Sequence, residues 1–179
     1  MPRSGIIFII MASGIAILMA AAMVTSSFVL EPLVITGHSM SPTIMQRDRI
    51  LVNRLAYRSR EPSRGDIIAF KIGWKRLVKR VVGLPGDVIE VKKGLLYRND
   101  EAVSHEPYTV LYPHHSNRQP YWSRTVEDKH VFVIGDNRIM SVDSRDFGTI
   151  PYQDIIGKAF FIYFPPKRIG KLGRIRKEF

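Results

Sequence analysis

Apolar and polar positions divide the chain into two unlike parts. From Gly5 to Leu30 there is no charged residue, and Ile, Ala and Met dominate without a polar stripe. A surface helix of a globular protein carries a polar face, which this run lacks. As a helix it would extend roughly 39 Å at about 1.5 Å per residue. That is enough to cross a hydrocarbon layer of about 30 Å with some tilt. Residues 1–30 are therefore expected to form one N-terminal transmembrane anchor. Arg3 and the Ala20-Ala21-Ala22 triplet also permit a removable leader, but the apolar run is longer than the core of such leaders.

From Glu31 onward the pattern changes to short apolar runs separated by Gly, Pro, Asn and Asp. Ile50 to Val52, Ile67 to Phe70, Arg76 to Val82, Val88 to Val91, Leu95 to Tyr97, His130 to Ile134 and Ala159 to Phe164 read as strands. Few windows carry a helical period. Leu84-Pro85-Gly86-Asp87 and Gly135-Asp136-Asn137-Arg138 read as turns. The expectation is a mainly β, antiparallel catalytic domain with a coiled or barrel-like sheet over residues 31–166. Residues 101–128 differ in texture, with Pro107, Pro113, Pro120 and a His114-His115-Ser116-Asn117 cluster. They suggest an insertion or cap between two strands of the main sheet. Residues 167–179 form a basic tail.

Composition narrows the chemistry. The 179 residues contain no cysteine, which excludes disulfides, thiol catalysis and cysteine-ligated zinc. Lys and Arg total 27 against 16 Asp and Glu, a net charge of +11. Such a balance favours anionic partners, either nucleic acid or acidic lipid headgroups. The tail is either a solvated basic segment or a membrane-surface contact. Charge alone would put the basic domain on the inner side of a membrane. Long domains cross largely regardless of charge, so this indication is weak.

Two short stretches carry candidate chemistry. Gly37-His38-Ser39-Met40-Ser41-Pro42-Thr43 presents Ser39 after a glycine that lets a substrate backbone approach and before a proline that fixes the chain. Leu77 to Asp87 sets Lys79 between Leu77 and Val81 on one strand face. Taken alone, Ser39 is a turn serine and Lys79 a surface lysine. Taken together they have another meaning. Apolar surroundings disfavour a charged amine, and a neutral lysine can accept a serine proton, a known variant of triad chemistry. The Ser39 N–H can face a developing oxyanion. Ser141, Asp143 and Arg145 follow a buried-looking strand, with Asp143 and Arg145 spaced to pair and Ser141 able to orient the amine. His38, as the neighbour of Ser39, would point away in an extended chain. His114 and His115 lack further ligands at metal-binding spacing, so no metal and no cofactor is expected.

In order along the chain, these blocks resemble the bacterial type I signal peptidases, the membrane-bound Ser-Lys leader peptidases of the S26 family. The resemblance rests on Gly37 to Thr43, Arg64 to Phe70, Val78 to Asp87 and Gly135 to Arg145, preceded by the apolar segment. It implies a β fold whose catalytic core carries a small inserted β domain, a cap over about 92–128, with Ser39 as nucleophile and Lys79 as general base. Ser141 would hydrogen-bond the lysine, and Asp143 and Arg145 would pair in support. Leu33, Ile35, Gly37, Met40, Ile44 and Val78 match positions that line shallow pockets for small side chains, suited to Ala-X-Ala sites. The resemblance also implies the cytoplasmic membrane, one pass and a catalytic domain on the outer face. Some members carry a serine two places before the nucleophile that helps hold the oxyanion; Gly37 stands there in this chain. Ile139 and Met140 are apolar where the family is more often polar.

The expected function is removal of N-terminal signal peptides from exported preproteins. Partners are then preproteins and cytoplasmic membrane lipids, with no nucleic acid. Two alternatives stay open on sequence grounds: a specialised Ser-Lys processing peptidase, such as one maturing conjugative pilin, and a non-catalytic membrane-anchored protein that binds anionic partners.

Overall fold

The computed structural model describes residues 11–16, 29–92, 95–103 and 121–172. The domain is built of antiparallel strands. Eight of them form the main sheet: β1 (Leu30–Val34), β2 (Arg49–Asn53), β3 (Ile67–Ile72), β4 (Lys75–Gly83), β9 (His130–Ile134), β10 (Ile150–Pro151), β11 (Ile155–Phe164) and β12 (Gly170–Lys171). The order is β1-β2-β11-β3-β4-β9-β10, with β12 added to β11. No pairing joins β1 to β10 among the described residues, so this path is open.

Alternation in β3 explains how both faces of the sheet are covered. Ile67 and Ala69 enter one core with Met40, Ile44, Ile50, Val52, Val78, Ala159 and Ile162. Ile68 and Phe70 enter another with Val81, Val131, Val133 and Ile150. A strand with apolar residues at every position is buried on both sides, which is why Ile67 to Phe70 reads as a continuous run rather than an alternating one.

A second sheet, β7-β6-β5-β8, comprises β5 (Val88–Lys92), β6 (Leu95–Arg98), β7 (Glu101–Ala102) and β8 (Tyr121–Thr125). It takes in β5, ahead of the start near residue 92 expected for the inserted cap. Residues 104–120, including His114 and His115, lie outside the described residues. A third core of Val82, Ile89, Val91, Leu96, Val103, Val126, Phe132 and Ile134 joins the two sheets. Gly83 is required where they meet, because a Cβ there would lie 2.9 Å from both Ile89 and Phe132 side chains.

Most of the expected anchor lies outside the described residues. Residues 11–16 are helical, and among the described residues no helix is long and apolar enough to cross a membrane. The start of the basic tail departs from a solvated segment. Pro166–Arg168 forms a 3-10 turn, β12 pairs with β11, and the Leu172 N–H donates to the Phe160 carbonyl at 2.8 Å. The tail thereby covers part of an edge of β11. Residues 173–179 lie outside the described residues.

Candidate active site

The loop between β1 and β2 carries Ser39. Its two arms are tied by backbone bonds, Ile35 N–H to Asp48 O at 2.9 Å and Arg47 N–H to Ile35 O at 2.7 Å. Met40 and Ile44 plug the loop into the core at 2% and 0% exposure. Ser39 is thus held between a fixed strand end and a buried methionine. Gly37 beside it faces open space, with no atom within 4 Å of where a Cβ would stand.

Lys79 comes from β4, opposite Ile68 in register. It is 3% exposed, and its Nζ lies 2.6 Å from Ser39 Oγ as hydrogen-bond donor. Burial pulls the amine pKa from 10.5 to about 8; Asp143 and Asp136 oppose this and Arg145 adds to it. Above that pH the amine is mostly neutral, and at the same separation it can accept the serine proton.

The loop after β9 closes the site from the other side. Asp143, wholly buried, accepts from Gly135 N–H at 3.0 Å and pairs with Arg145 at 2.6 Å. It also caps the one-turn helix α1 (Ser144–Phe147), where Asp146 accepts in return from the Asp143 N–H. Arg145 Nη2 donates to the Arg138 carbonyl at 3.0 Å, and burial brings its pKa down to about 10. Ser141 is buried beside the backbone of the nucleophile. A Cβ on Gly135 would collide with the Ser141 hydroxyl and with the Ser39 carbonyl, which also accepts from Asn137 N–H at 3.0 Å.

One pair here was not singled out in the sequence. Arg80 and Asp136, 2% and 3% exposed, make a two-pronged ion pair of 2.8 and 2.6 Å. Thr43 donates to the same carboxylate, so the nucleophile loop, β4 and the loop after β9 share one buried anchor point. Arg80 lies next to Lys79, and its apolar neighbours Val78 and Val82 were the signal that it too turns inward. A buried arginine needs a buried acid, and Asp136 stands in a stretch read above as a turn and as the start of the Gly135 to Arg145 block, with no role of its own. Arg168 of the tail also reaches this loop, pairing with Asp48 at 3.0 Å and donating to Thr43 O at 3.1 Å.

A cleft of about 170 Å³ leads to Ser39 and Lys79, bounded by Leu33 to Gly37 on one side and Arg76 to Val78 on the other. Leu33, Ile35, Gly37, Met40 and Val78 line it. Ile44, expected there too, is fully buried in the core beneath it. Among the described residues both walls are open strand edges: β1 pairs only with β2, and β4 meets β9 only from Arg80 onward. An extended peptide can bond to such edges as an added strand.

A serine hydroxyl held on a buried amine beside open strand edges is the layout of a serine peptidase. The chain belongs to the family described as signal peptidase, peptidase S26, whose pattern matches residues 7–164. A Synechocystis protein named probable signal peptidase I-1 is 39% identical over 85% of this chain and 80% of its own. Signal peptidase I S of Bacillus subtilis is 35% identical over 86% and 88%. A crystal structure of a signal peptidase I from Enterococcus faecalis aligns with 32% identity and a TM-score of 0.47, over 55% of this chain and 97% of that one.

Proposed function

We propose that this chain is a membrane-anchored serine endopeptidase that removes N-terminal signal peptides from exported preproteins. The observation that carries the reading is the 2.6 Å contact between Ser39 Oγ and the buried Lys79 amine, in a chain of the signal peptidase family. Ser39 attacks the scissile carbonyl carbon while Lys79 takes the hydroxyl proton. The resulting oxyanion faces the Ser39 N–H. The intermediate collapses as Lys79 returns the proton to the leaving amine, which leaves an ester on Ser39. Lys79 then deprotonates a water that hydrolyses the ester.

Ser141 bonds and orients the lysine amine, and the Asp143–Arg145 pair holds the loop that carries Ser141. The signal peptide lies extended along β1 and the first half of β4. Leu33, Ile35, Gly37, Met40 and Val78 shape the subsites, and Ile44 supports them from beneath. A cleft of about 170 Å³ accepts small side chains, in keeping with Ala-X-Ala sites. Residues 1–30 form the single membrane-crossing anchor, and the catalytic domain, residues 31–166 with its inserted cap, stands on the outer face of the cytoplasmic membrane.

The test is cleavage of a preprotein bearing an Ala-X-Ala site by the detergent-solubilised full chain, beside Ser39→Ala and Lys79→Ala. The wild type cleaves and both variants, still folded, do not. Retained cleavage in either variant overturns the mechanism. Failure of a folded wild type on several preproteins shifts the reading to a specialised processing peptidase.

A further inference from the structure

A second, larger cavity lies on the far side of Arg76 from the cleft. We propose that it binds the phosphate of an anionic phospholipid headgroup. Its volume is about 850 Å³, and its lining includes four cations, Arg54, Arg58, Lys71 and Arg76, against two acids, Glu31 and Asp154. Arg54 and Arg76 converge on Glu31 at 3.7 and 2.5 Å. Arg58 and Lys71 form no ion pair among the described residues, and the lining as described holds more cations than acids, contributed by separate elements. Arginine and lysine side chains converging in a concavity suit a phosphate, the first as a planar fork and the second as a point charge.

Three features point to a lipid as the source of that phosphate. First, Val29 is part of the lining, and β1 starts at the next residue without a linker. The apolar segment therefore ends at the cavity itself, which places the opening at headgroup level; this step rests on the anchor proposed above. Second, Val29, Leu55, Ile155 and Ile156 give the cavity an apolar portion, which suits the glycerol end of a lipid and not a free anion. Third, Lys71 pairs across β3 and β4 with Arg76, and the turn they lead into presents Trp74 at 95% exposure. A fully exposed indole next to cations is a side chain suited to the membrane interface, where its ring sits among headgroups.

The experiment is native mass spectrometry of the full chain in detergent, supplied with phosphatidylglycerol or phosphatidylcholine. Wild type retains phosphatidylglycerol over phosphatidylcholine by about tenfold or more, because each cation near an anionic lipid surface contributes favourably. Arg58→Gln with Lys71→Gln lowers retention to the phosphatidylcholine level, whereas Arg58→Lys with Lys71→Arg keeps the preference. Circular dichroism of both doubles checks that they fold. Equal retention of the two lipids by the wild type, or a preference that survives the Gln double, overturns the proposal. Loss of phosphatidylglycerol on adding millimolar inorganic phosphate at constant ionic strength assigns the cavity to free anions and overturns the lipid source. The anchor is tested separately by alkaline extraction of membranes. A chain released by alkali fails the anchor reading alone, since retention in detergent does not depend on it.

Discussion

Lys79 should make the protein less stable than it would be without it, and the size of that effect follows from its burial. The fold lowers the amine pKa from 10.5 to about 8. That drop corresponds to about 3 kcal/mol of disfavour for the protonated form in the native state. The unfolded chain binds the proton more tightly, so native stability rises with pH between about 8 and 10.5. The penalty is complete below pH 8 and absent above 10.5. Replacing Lys79 with Met keeps the volume and removes the charge. It also removes the bond to Ser39, a loss of about 1 kcal/mol that does not vary with pH. The pH-dependent part is therefore cleanly separable. The stability difference between Lys79→Met and wild type should be more favourable to the variant at about pH 7 than at about pH 10, by about 2.5 kcal/mol. Denaturant unfolding of the detergent-solubilised full chain at the two pH values, followed by near-ultraviolet circular dichroism, measures it. A difference that is the same at both pH values would refute the claim that burial lowers the pKa of this amine.

Further expectations come from the same geometry. The kcat/KM of preprotein cleavage should rise with pH to a plateau with a midpoint near 8, since it reports the free enzyme's base. Lys79→Arg should stay inactive across that range, because a guanidinium does not deprotonate; a flat profile, or activity in this variant, contradicts Lys79 as base. Gly135→Ala should abolish most activity, since its Cβ would collide with Ser141 and with the Ser39 carbonyl; unchanged kcat in a pre-steady-state assay contradicts that packing. Arg168→Gln should destabilise the fold by about 1–2 kcal/mol, because buried Asp48 loses its cation and keeps, among the described residues, only the bond from the Met45 N–H, while solvent reaching the partly exposed arginine already weakens the pair. Thermal unfolding reads this out, and a melting temperature equal to wild type contradicts the docking of the tail.

The main strands were legible because their apolar runs are bounded by turn residues, and β2, β3, β4, β5, β6, β9 and β11 fall where those runs lie. β8 was not, since Tyr121 to Thr125 is two aromatics followed by three polar residues beside a proline-rich stretch, with no alternation to mark it, and it gains its order from pairing with β5. β1 was hidden for a different reason: Leu30–Val34 is only five residues long and holds Glu31 and Pro32, and a proline inside so short a run argues against a strand except at a sheet edge. The tail's basic composition is equally that of a solvated segment; Arg168 is ordered by an aspartate 120 positions away.

What the sequence determined by itself is local: which residues are apolar, where the chain can turn, and that a serine and a lysine stand in motifs of known order. Those properties depend on neighbours within a few positions. Only the tertiary structure decided that Lys79 loses its water, that its amine meets Ser39 rather than solvent, and that Arg80 finds Asp136. Desolvation and charge pairing depend on distances between residues 40 and 56 positions apart, and packing alone sets those distances.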